Sequence, residues 1–221
     1  MDIKQLFLPG ACFFCLTKTR GAWCDECERD FILDLARCPV CAQITVNNNV
    51  CGACLKRRPY FTNTEVLYNY QYPANYLIKA FKYNNRPELA ISFADIMAKQ
   101  LSDKPILPEL LLPVPLHKTR QRERGYNQSL VFANQIAKRM GLKVNSSICS
   151  RIKNTEPQSR LPMNTRRRNI KGAFYLKGVR LPEHIAIVDD VITTGSTVNE
   201  LAALLRKAGC QHIEVWAIAR A

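Results

Sequence analysis

The stretch HIAIVDDVITTGSTVNE, residues 184–200, carries residue types that suit the binding of a small charged ligand. Its apolar run IAIV ends in Asp189 and Asp190, whose carboxylates accept hydrogen bonds from sugar hydroxyls. A hydroxyl-rich turn then leads into a predicted helix, so its backbone N–H groups and the helix dipole favour an anion. The sequence therefore predicts a site for a phosphorylated sugar, with the phosphate on the turn. The turn residues are Thr193, Thr194, Gly195, Ser196 and Thr197.

Cysteines form the second chemically distinctive group. Of the 10 cysteines, most lie before residue 55 and are arranged in C-x2-C pairs. Two such pairs supply the four thiolates of a closed tetrahedral site, so we predict two structural zinc ions. Short, similar gaps favour sequential pairing, but the spacing leaves a cross-braced arrangement open. With sequential pairing, the ligands are Cys12, Cys15, Cys24 and Cys27 for one ion and Cys38, Cys41, Cys51 and Cys54 for the other.

Positive charge is concentrated in one part of the chain. The formal net charge is +14, and nearly all of the excess lies in residues 118–172. So dense an excess repels itself unless a ligand neutralises it, which indicates phosphate or nucleic acid. The cysteine-rich segment lies outside this basic region, which argues against a nucleic-acid-binding role for the predicted zinc sites.

Strands that alternate with helices must position these residues. The alternation predicts an α/β domain with a mostly parallel sheet, in which ligands bind beyond the carboxyl ends of the strands. A linker is predicted at Lys56, Arg57, Arg58 and Pro59. The chain is thus divided into a zinc module, residues 1–58, and an α/β domain, residues 59–221. Strands are predicted at 65–72, 110–116, 184–190 and 212–219, and helices at 74–83, after Pro87, at 127–140 and at 196–208.

The sequence also indicates the compartment. No apolar run approaches the roughly 20 residues of a membrane span. The N-terminal segment lacks the basic and apolar regions of a signal peptide. We therefore expect a cytoplasmic protein, whose thiols stay reduced and available to metal.

The stretch IAIVDDVITTGST resembles the phosphoribosyl pyrophosphate (PRPP) motif of type I phosphoribosyltransferases. The resemblance implies helices on both faces of the sheet, ribose hydroxyls on Asp189 and Asp190, and the 5′-phosphate on residues 193–197. It also implies a magnesium ion on the pyrophosphate. In that fold a loop after an early strand wraps the pyrophosphate, which points here to Lys118 and to the guanidinium fork of Arg124.

Two further stretches, together with the cysteine pairs, resemble the ComF family of competence proteins over nearly the whole chain. They are PVPLHKTRQRERGYNQS, residues 113–129, and QSRLPMNTRRRNIKGAF, residues 158–174. Members of that family combine a zinc module with a phosphoribosyltransferase-like domain and act in DNA uptake during natural transformation. The resemblance implies single-stranded DNA and PRPP as ligands, and the uptake machinery at the cytoplasmic side of the inner membrane as a partner.

The basic segment is the expected nucleic-acid contact. In transferases of this fold, a loop at the corresponding position in the sequence covers the site. Such a loop could also follow a nucleic-acid backbone. Contacts to phosphates give affinity without sequence preference. The residues expected to make them are Arg151, Lys153, Arg166, Arg167 and Arg168.

Four residues have two interpretations each. Lys82 is either near the site or a solvated helix lysine, and His117 is more often structural than catalytic in such a setting. Asn127 and Gln128 either orient a ligand or cap a helix.

Two other functions compete with a DNA-uptake factor. An active phosphoribosyltransferase of nucleotide metabolism or salvage needs a hood that selects a base. Only residues 59–90 could supply that hood, and they show no base-specific pattern. Alternatively, the pocket is a relic and the protein is a scaffold that binds partners through its zinc module.

Overall fold

A parallel four-stranded sheet lies at the centre of the structure, a computed structural model that describes residues 10–31, 35–155, 169–178 and 180–221. The strands of this sheet follow the order β1-β6-β5-β2, and a separate antiparallel pair, β3-β4, lies beside it. The strands are β1 (Asn63–Asn69), β2 (Leu110–Pro113), β3 (Cys149–Arg151), β4 (Phe174–Leu176), β5 (His184–Ile192) and β6 (His212–Arg220). The helices are α1 (Asp25–Phe31), α2 (Gly52–Lys56), α3 (Ala74–Tyr83), α4 (Leu89–Gln100), α5 (Lys118–Arg124), α6 (Gln128–Met140) and α7 (Ser196–Lys207).

The central strand β5 is buried on both faces, which explains its continuous apolar run. Ala186 and Val188 face a core built with α3, α4 and α6. Ile185 and Ile187 face the opposite core, which contains α7 and the β3-β4 pair. The predicted parallel α/β sheet with helices on both faces is therefore confirmed.

Local signals set the ends of α6. The Asn127 side chain accepts hydrogen bonds from the backbone N–H groups of Ser129 at 3.0 Å and Leu130 at 3.4 Å, as an N-cap does. Gly141 ends the helix with a φ of +67°, a left-handed conformation that glycine adopts without strain. The helix predicted at 127–140 accordingly matches the observed one.

The segment after β2 was predicted to be a loop, but much of it is helical. It contains α5, whose N-cap His117 accepts a hydrogen bond at Nδ1 from the backbone N–H of Thr119, 3.3 Å away. The helix has 7 residues, none of them buried, so it lacks the apolar period by which helices are detected in sequence. The β3-β4 pair was also not predicted, because strands of 3 residues depend on pairing between distant segments.

The cysteine-rich segment forms two similar small hairpins. Isolated bridges join Ala11 to Lys18 and Arg37 to Ile44, and in each hairpin the residue after the second cysteine has a positive φ. Each hairpin, together with the segment that holds its two remaining cysteines, forms one ribbon. The first ribbon contains residues 12–27 and the second contains residues 38–54. Within the described ranges, no helix combines the length and apolarity needed to cross a bilayer.

Both ribbons pack directly against the α/β domain. In the first, the backbone N–H of Ala22 donates to Ser92 Oγ of α4 at 2.9 Å, and the Trp23 ring lies 5.2 Å from that of Phe93. In the second, Thr64 Oγ1 of β1 donates to the carbonyl of Val40 at 2.7 Å. The two hydrophobic cores of the protein therefore extend into the ribbons, and each contains residues on both sides of the domain boundary predicted at residue 58.

Candidate ligand cleft and metal sites

A cleft opens at the carboxyl ends of three parallel strands. Tyr70 follows β1, Val114 follows β2, and the last residues of β5 form its floor. Parallel α/β sheets bind ligands at this edge because the loops and helix N-termini that follow the strands converge there. The cleft also places residues of α3, α5 and β3 around the carboxylates of β5.

The two aspartates hold fixed positions in the cleft floor. Asp189 accepts hydrogen bonds from Ser129 Oγ at 3.1 Å and from the backbone N–H of Asp190 at 2.9 Å. Asp190 forms an ion pair with Lys82, whose Nζ lies 2.9 Å from Asp190 Oδ1. Asp190 is 8% exposed, so this pair is largely removed from water.

These contacts shift the pKa values of the groups involved. Burial and the neighbouring charge of Asp190 raise the pKa of Asp189 to about 7, although Lys82 and Ser129 oppose the shift. Burial alone would lower the pKa of Lys82, but the two aspartates outweigh it and hold that pKa above its ordinary value. The floor thus contains one cation shared between two carboxyl groups, one of which titrates near neutrality.

The predicted phosphate loop follows directly. Gly195 has a φ of +73° and is the N-cap residue of α7, so the chain turns sharply between the strand and the helix. Thr194 Oγ1 lies 2.8 Å from Ser196 Oγ and accepts a hydrogen bond from the Ser196 backbone N–H at 3.3 Å, which stabilises the turn. Of the five predicted loop residues, Thr193, Gly195, Ser196 and Thr197 line the cleft, whereas Thr194 faces a neighbouring groove.

Three arginines surround the cleft. Arg120 and Arg124 lie one turn apart on α5, and Arg151 is the last residue of β3. Arg124 was predicted from sequence, and the structure places it in the cleft wall with its Nη1 3.1 Å from Gln128 Oε1. Lys118, predicted with it, is exposed at the start of α5 and is not a cleft residue.

Arg151 has the most unusual environment of the three. It is 9% exposed, and its buried Nε has no hydrogen-bond partner among the described residues, although an Nη2 donates to Thr155 Oγ1. Burial and repulsion from Arg120 lower the pKa of Arg151 to about 10, against the opposing attraction of Asp189. At neutral pH it therefore remains a cation, held away from water, with one N–H donor that no described residue satisfies.

The structure describes two of the five predicted nucleic-acid residues, and these two have different surroundings. Arg151 is inside the cleft, while Lys153 is exposed and its Nζ donates to the carbonyl of Lys171 at 2.9 Å. Arg166, Arg167 and Arg168 lie outside the described residues.

The structure also locates the four residues for which the sequence left two interpretations open. Lys82 is at the site, while His117 and Asn127 cap helices. Gln128 is 1% exposed and links two parts of the cleft wall, since it accepts from Arg124 and donates to the carbonyl of Lys82 at 3.3 Å. Gln128 is therefore a support for the two cations.

Sequence reasoning missed several cleft residues. Arg120 could have been found from its i, i+4 spacing to Arg124, had α5 been recognised as a helix. Tyr70 and Tyr83 line the cleft, and the Arg124 guanidinium lies 5.2 Å from the centre of the Tyr83 ring. No local pattern marks these tyrosines, because the fold of the chain alone brings α3 over the end of β5.

The cysteines form two groups that fit zinc. Within each group all sulfur atoms lie within 4.8 Å of one another, and Cys15 Sγ to Cys24 Sγ and Cys41 Sγ to Cys51 Sγ each measure 3.6 Å. A tetrahedral site with Zn–S bonds of about 2.3 Å requires sulfur separations of about 3.8 Å. The pairing is sequential: the first group is Cys12, Cys15, Cys24 and Cys27, and the second is Cys38, Cys41, Cys51 and Cys54. Cys149 and Cys210 are buried in the α/β domain, away from both groups.

The sequence is similar to known families and proteins over both the cysteine-rich segment and the α/β domain. The sequence matches the double zinc ribbon domain family over residues 3–55 and the phosphoribosyl transferase domain family over residues 87–221. Competence protein F of Haemophilus influenzae is 34% identical over 227 residues, which cover 97% of this chain and 99% of the relative. DNA utilization protein YhgH of Escherichia coli K12 is 31% identical over 225 residues, with 98% and 99% covered.

A solved structure also resembles the chain. Glutamine PRPP amidotransferase from B. subtilis, complexed with ADP and GMP, superimposes with a TM-score of 0.43 at 15% identity. The superposition covers 63% of this chain and 30% of that one.

Proposed function

Because the chain belongs to the ComF family of competence proteins, we propose that it handles single-stranded DNA during DNA uptake and binds PRPP in the cleft. In this proposal the protein acts on the cytoplasmic side of the inner membrane, beside the uptake machinery. The relatives named for competence and for DNA utilization support the DNA role.

The observation that carries the PRPP assignment is the buried guanidinium of Arg151, whose Nε has no partner among the residues that the structure describes. A buried donor without a partner is costly, and two more arginines nearby add repulsion. A polyanion removes both penalties at once, because its oxygens accept from Arg151 and its charge offsets the three guanidinium groups. Pyrophosphate is the densest anion that a ribose ligand brings to this position.

The rest of PRPP fits the remaining groups of the cleft. Its 5′-phosphate suits the turn at Thr193–Thr197, because the first N–H groups of α7 lack helical partners. Its ribose hydroxyls suit Asp189 and Asp190. Magnesium carried on the pyrophosphate would reduce its negative charge, and oxygen ligands such as these carboxylates suit that ion.

Exposed lysines near the cleft are the proposed DNA contacts. Lys118, Lys153 and Lys171 are exposed on three different segments around the arginines. Side chains of this kind bind the phosphates of a single strand and are screened by salt.

Calorimetric titration of magnesium–PRPP into the zinc-loaded protein tests the proposal. We expect binding in the native protein, loss of at least about tenfold in affinity in Arg151→Met, and a comparable loss in Asp190→Asn. Lys153→Met is the matched control, since it removes an exposed cation two residues away. Absence of binding in the native protein would make the cleft a relic and leave DNA binding as the whole function.

Repeating the titration with a short single strand shows whether the two ligands are coupled. A change in PRPP affinity would require the same factor of change in DNA affinity, because linkage is reciprocal.

An active phosphoribosyltransferase is the second candidate, and two tyrosines favour it. Tyr70 and Tyr83 line the cleft, and Tyr83 is 62% exposed, so its ring could stack on a planar acceptor. Catalysis in such a site would consist of positioning and of stabilising the leaving pyrophosphate with Arg120, Arg124 and Arg151. Release of pyrophosphate from PRPP with nucleobases, amines or nucleotides as acceptors is the assay, and no release with any of them rejects this candidate.

A further inference from the structure

The last strand of the sheet ends in an arginine that contacts two regions with different roles. Arg220 closes β6, where it lies opposite Ile192 of β5 and Asn69 of β1. Its position is thus at the same sheet edge as the cleft. It is partly buried between the second ribbon and the beginning of the phosphate loop.

On one side, Arg220 binds the second ribbon. Its Nε donates to the carbonyl of Cys41 at 3.0 Å, and an Nη2 donates to Gln43 Oε1 at 2.9 Å. Cys41 is a member of the second cysteine group, and Gln43 follows it in the same turn. Thr64 of β1 holds the preceding part of this turn through the carbonyl of Val40.

On the other side, Arg220 binds the start of the phosphate loop. Its Nη1 donates to the carbonyl of Ile192 at 3.1 Å and to that of Thr193. These carbonyls belong to the two residues directly before the turn at Thr194 and Gly195. One planar guanidinium therefore sets the distance between the cysteine turn and the loop.

We infer that Arg220 is a positioning residue through which the second zinc site shapes the phosphate loop of the cleft. A ribbon of this size lacks a core sufficient to fold alone, so metal loss disorders the turn at Cys41. Arg220 then loses its acceptors at Cys41 and Gln43. The first ribbon packs on α4 at another part of the domain, and none of the contacts found for its described residues reaches the phosphate loop.

Hydrogen exchange of the full-length, zinc-loaded protein tests this inference without any ligand. In Arg220→Gln, we expect the amides of residues 193–197 to exchange at least about fivefold faster, the lower end of typical coupling between sites. Cys51→Ser, which removes a ligand of the second group, should produce the same change. Zinc content is measured first, and Arg220→Gln is expected to retain both ions.

Two variants serve as matched controls. Cys24→Ser removes a ligand of the first group, and Arg206→Gln removes another arginine that binds backbone carbonyls, including that of Tyr60 at 3.3 Å. Neither should alter exchange in residues 193–197. The inference is overturned if Arg220→Gln leaves this exchange unchanged, or if Cys24→Ser raises it as much as Cys51→Ser does.

A second experiment compares zinc removal with and without PRPP, and it rests on the proposed PRPP binding. With magnesium–PRPP bound, a colorimetric chelator should remove one zinc ion at least about fivefold more slowly, and the other at an unchanged rate. Equal slowing of both ions, or slowing that persists in Arg220→Gln, contradicts the connection. If the native protein binds no PRPP, the proposed function fails by itself, while the exchange experiment still decides the role of Arg220.

Discussion

Lys82 Nζ lies 2.9 Å from Asp190 Oδ1, which joins α3 to the end of β5 across the floor of the cleft. The side chains are 15% and 12% exposed, so the pair is largely shielded from water. Asp189 lies beside it and adds a second carboxyl group to the same cation. The cleft floor is therefore held together by one ammonium group, which the proposed ribose ligand would have to share or displace.

Removing that ammonium should destabilise the protein. In Lys82→Met, Asp190 is left buried without a cation, and breaking such a pair from one side costs about 3 kcal/mol. Urea unfolding of the zinc-loaded protein at pH 7.5 measures the loss. Lys79→Met is the control, because Lys79 is exposed on the same helix. If both variants lose the same stability, the ion pair does not stabilise the fold. The double variant with Asp190→Asn should recover part of the loss.

Asp189→Asn should stabilise the unliganded protein while it weakens PRPP binding. Because the pKa of Asp189 is raised to about 7, the folded state favours the protonated carboxyl, and this contribution to stability is lost as pH rises from about 4 to about 7. An amide avoids that loss, and its oxygen can still accept from Ser129. We expect the free energy of unfolding to rise by about 1–3 kcal/mol at pH 8. This range is smaller than the full pKa shift would give, because Asp189 is only partly buried and solvent screens its charge.

The pH dependence separates this effect from a general one. The gain in thermal stability should be smaller at pH 6 than at pH 8, since Asp189 in the native protein is mostly protonated at pH 6. Asp103→Asn, at an exposed carboxyl, should show no such trend. An equal gain at both pH values would argue against a raised pKa for Asp189.

Zinc removal should expose Trp23. This side chain is 4% exposed, donates from Nε1 to Glu28 Oε2 at 3.0 Å and precedes a cysteine of the first group. Because the metal supplies much of the stability of this ribbon, chelation should release the indole from Phe93 and shift its fluorescence to longer wavelength. Trp23→Phe should abolish the shift. A shift that survives in that variant would come from Trp216 and would mean that the sheet itself unfolds.

Salt dependence should distinguish the cleft from the exposed basic residues. If Lys153 contacts a DNA phosphate, Lys153→Ala should reduce the slope of log affinity against log salt by about 0.7 for a single strand. Arg151→Met should leave that slope unchanged, because its guanidinium lies in the cleft. Fluorescence anisotropy with an oligothymidylate over a range of salt measures both slopes, and the opposite pattern would place the DNA in the cleft.

Sequence patterns predicted those features that depend on neighbouring residues. The C-x2-C pairs identified all eight cysteines of the two groups, because two intervening residues suffice to bring thiolates together. The run that ends in Asp189 and Asp190, followed by Gly195, located the strand, turn and helix of the cleft, since these steps are consecutive in the chain. The parallel sheet followed from the alternation of strands and helices.

The tertiary structure decided which distant residues share the cleft. The sequence left Lys82 with two interpretations, placed Arg151 among the nucleic-acid contacts and did not single out Arg220, because each belongs to an ordinary helix or strand end. Their roles arise because parallel pairing brings separate strand ends to one edge of the sheet, where burial strengthens the interaction between charges. The sequence by itself thus determined the chemical types of the sites, and the packing of remote segments determined the cations around the cleft and the contact of the second ribbon with its loop.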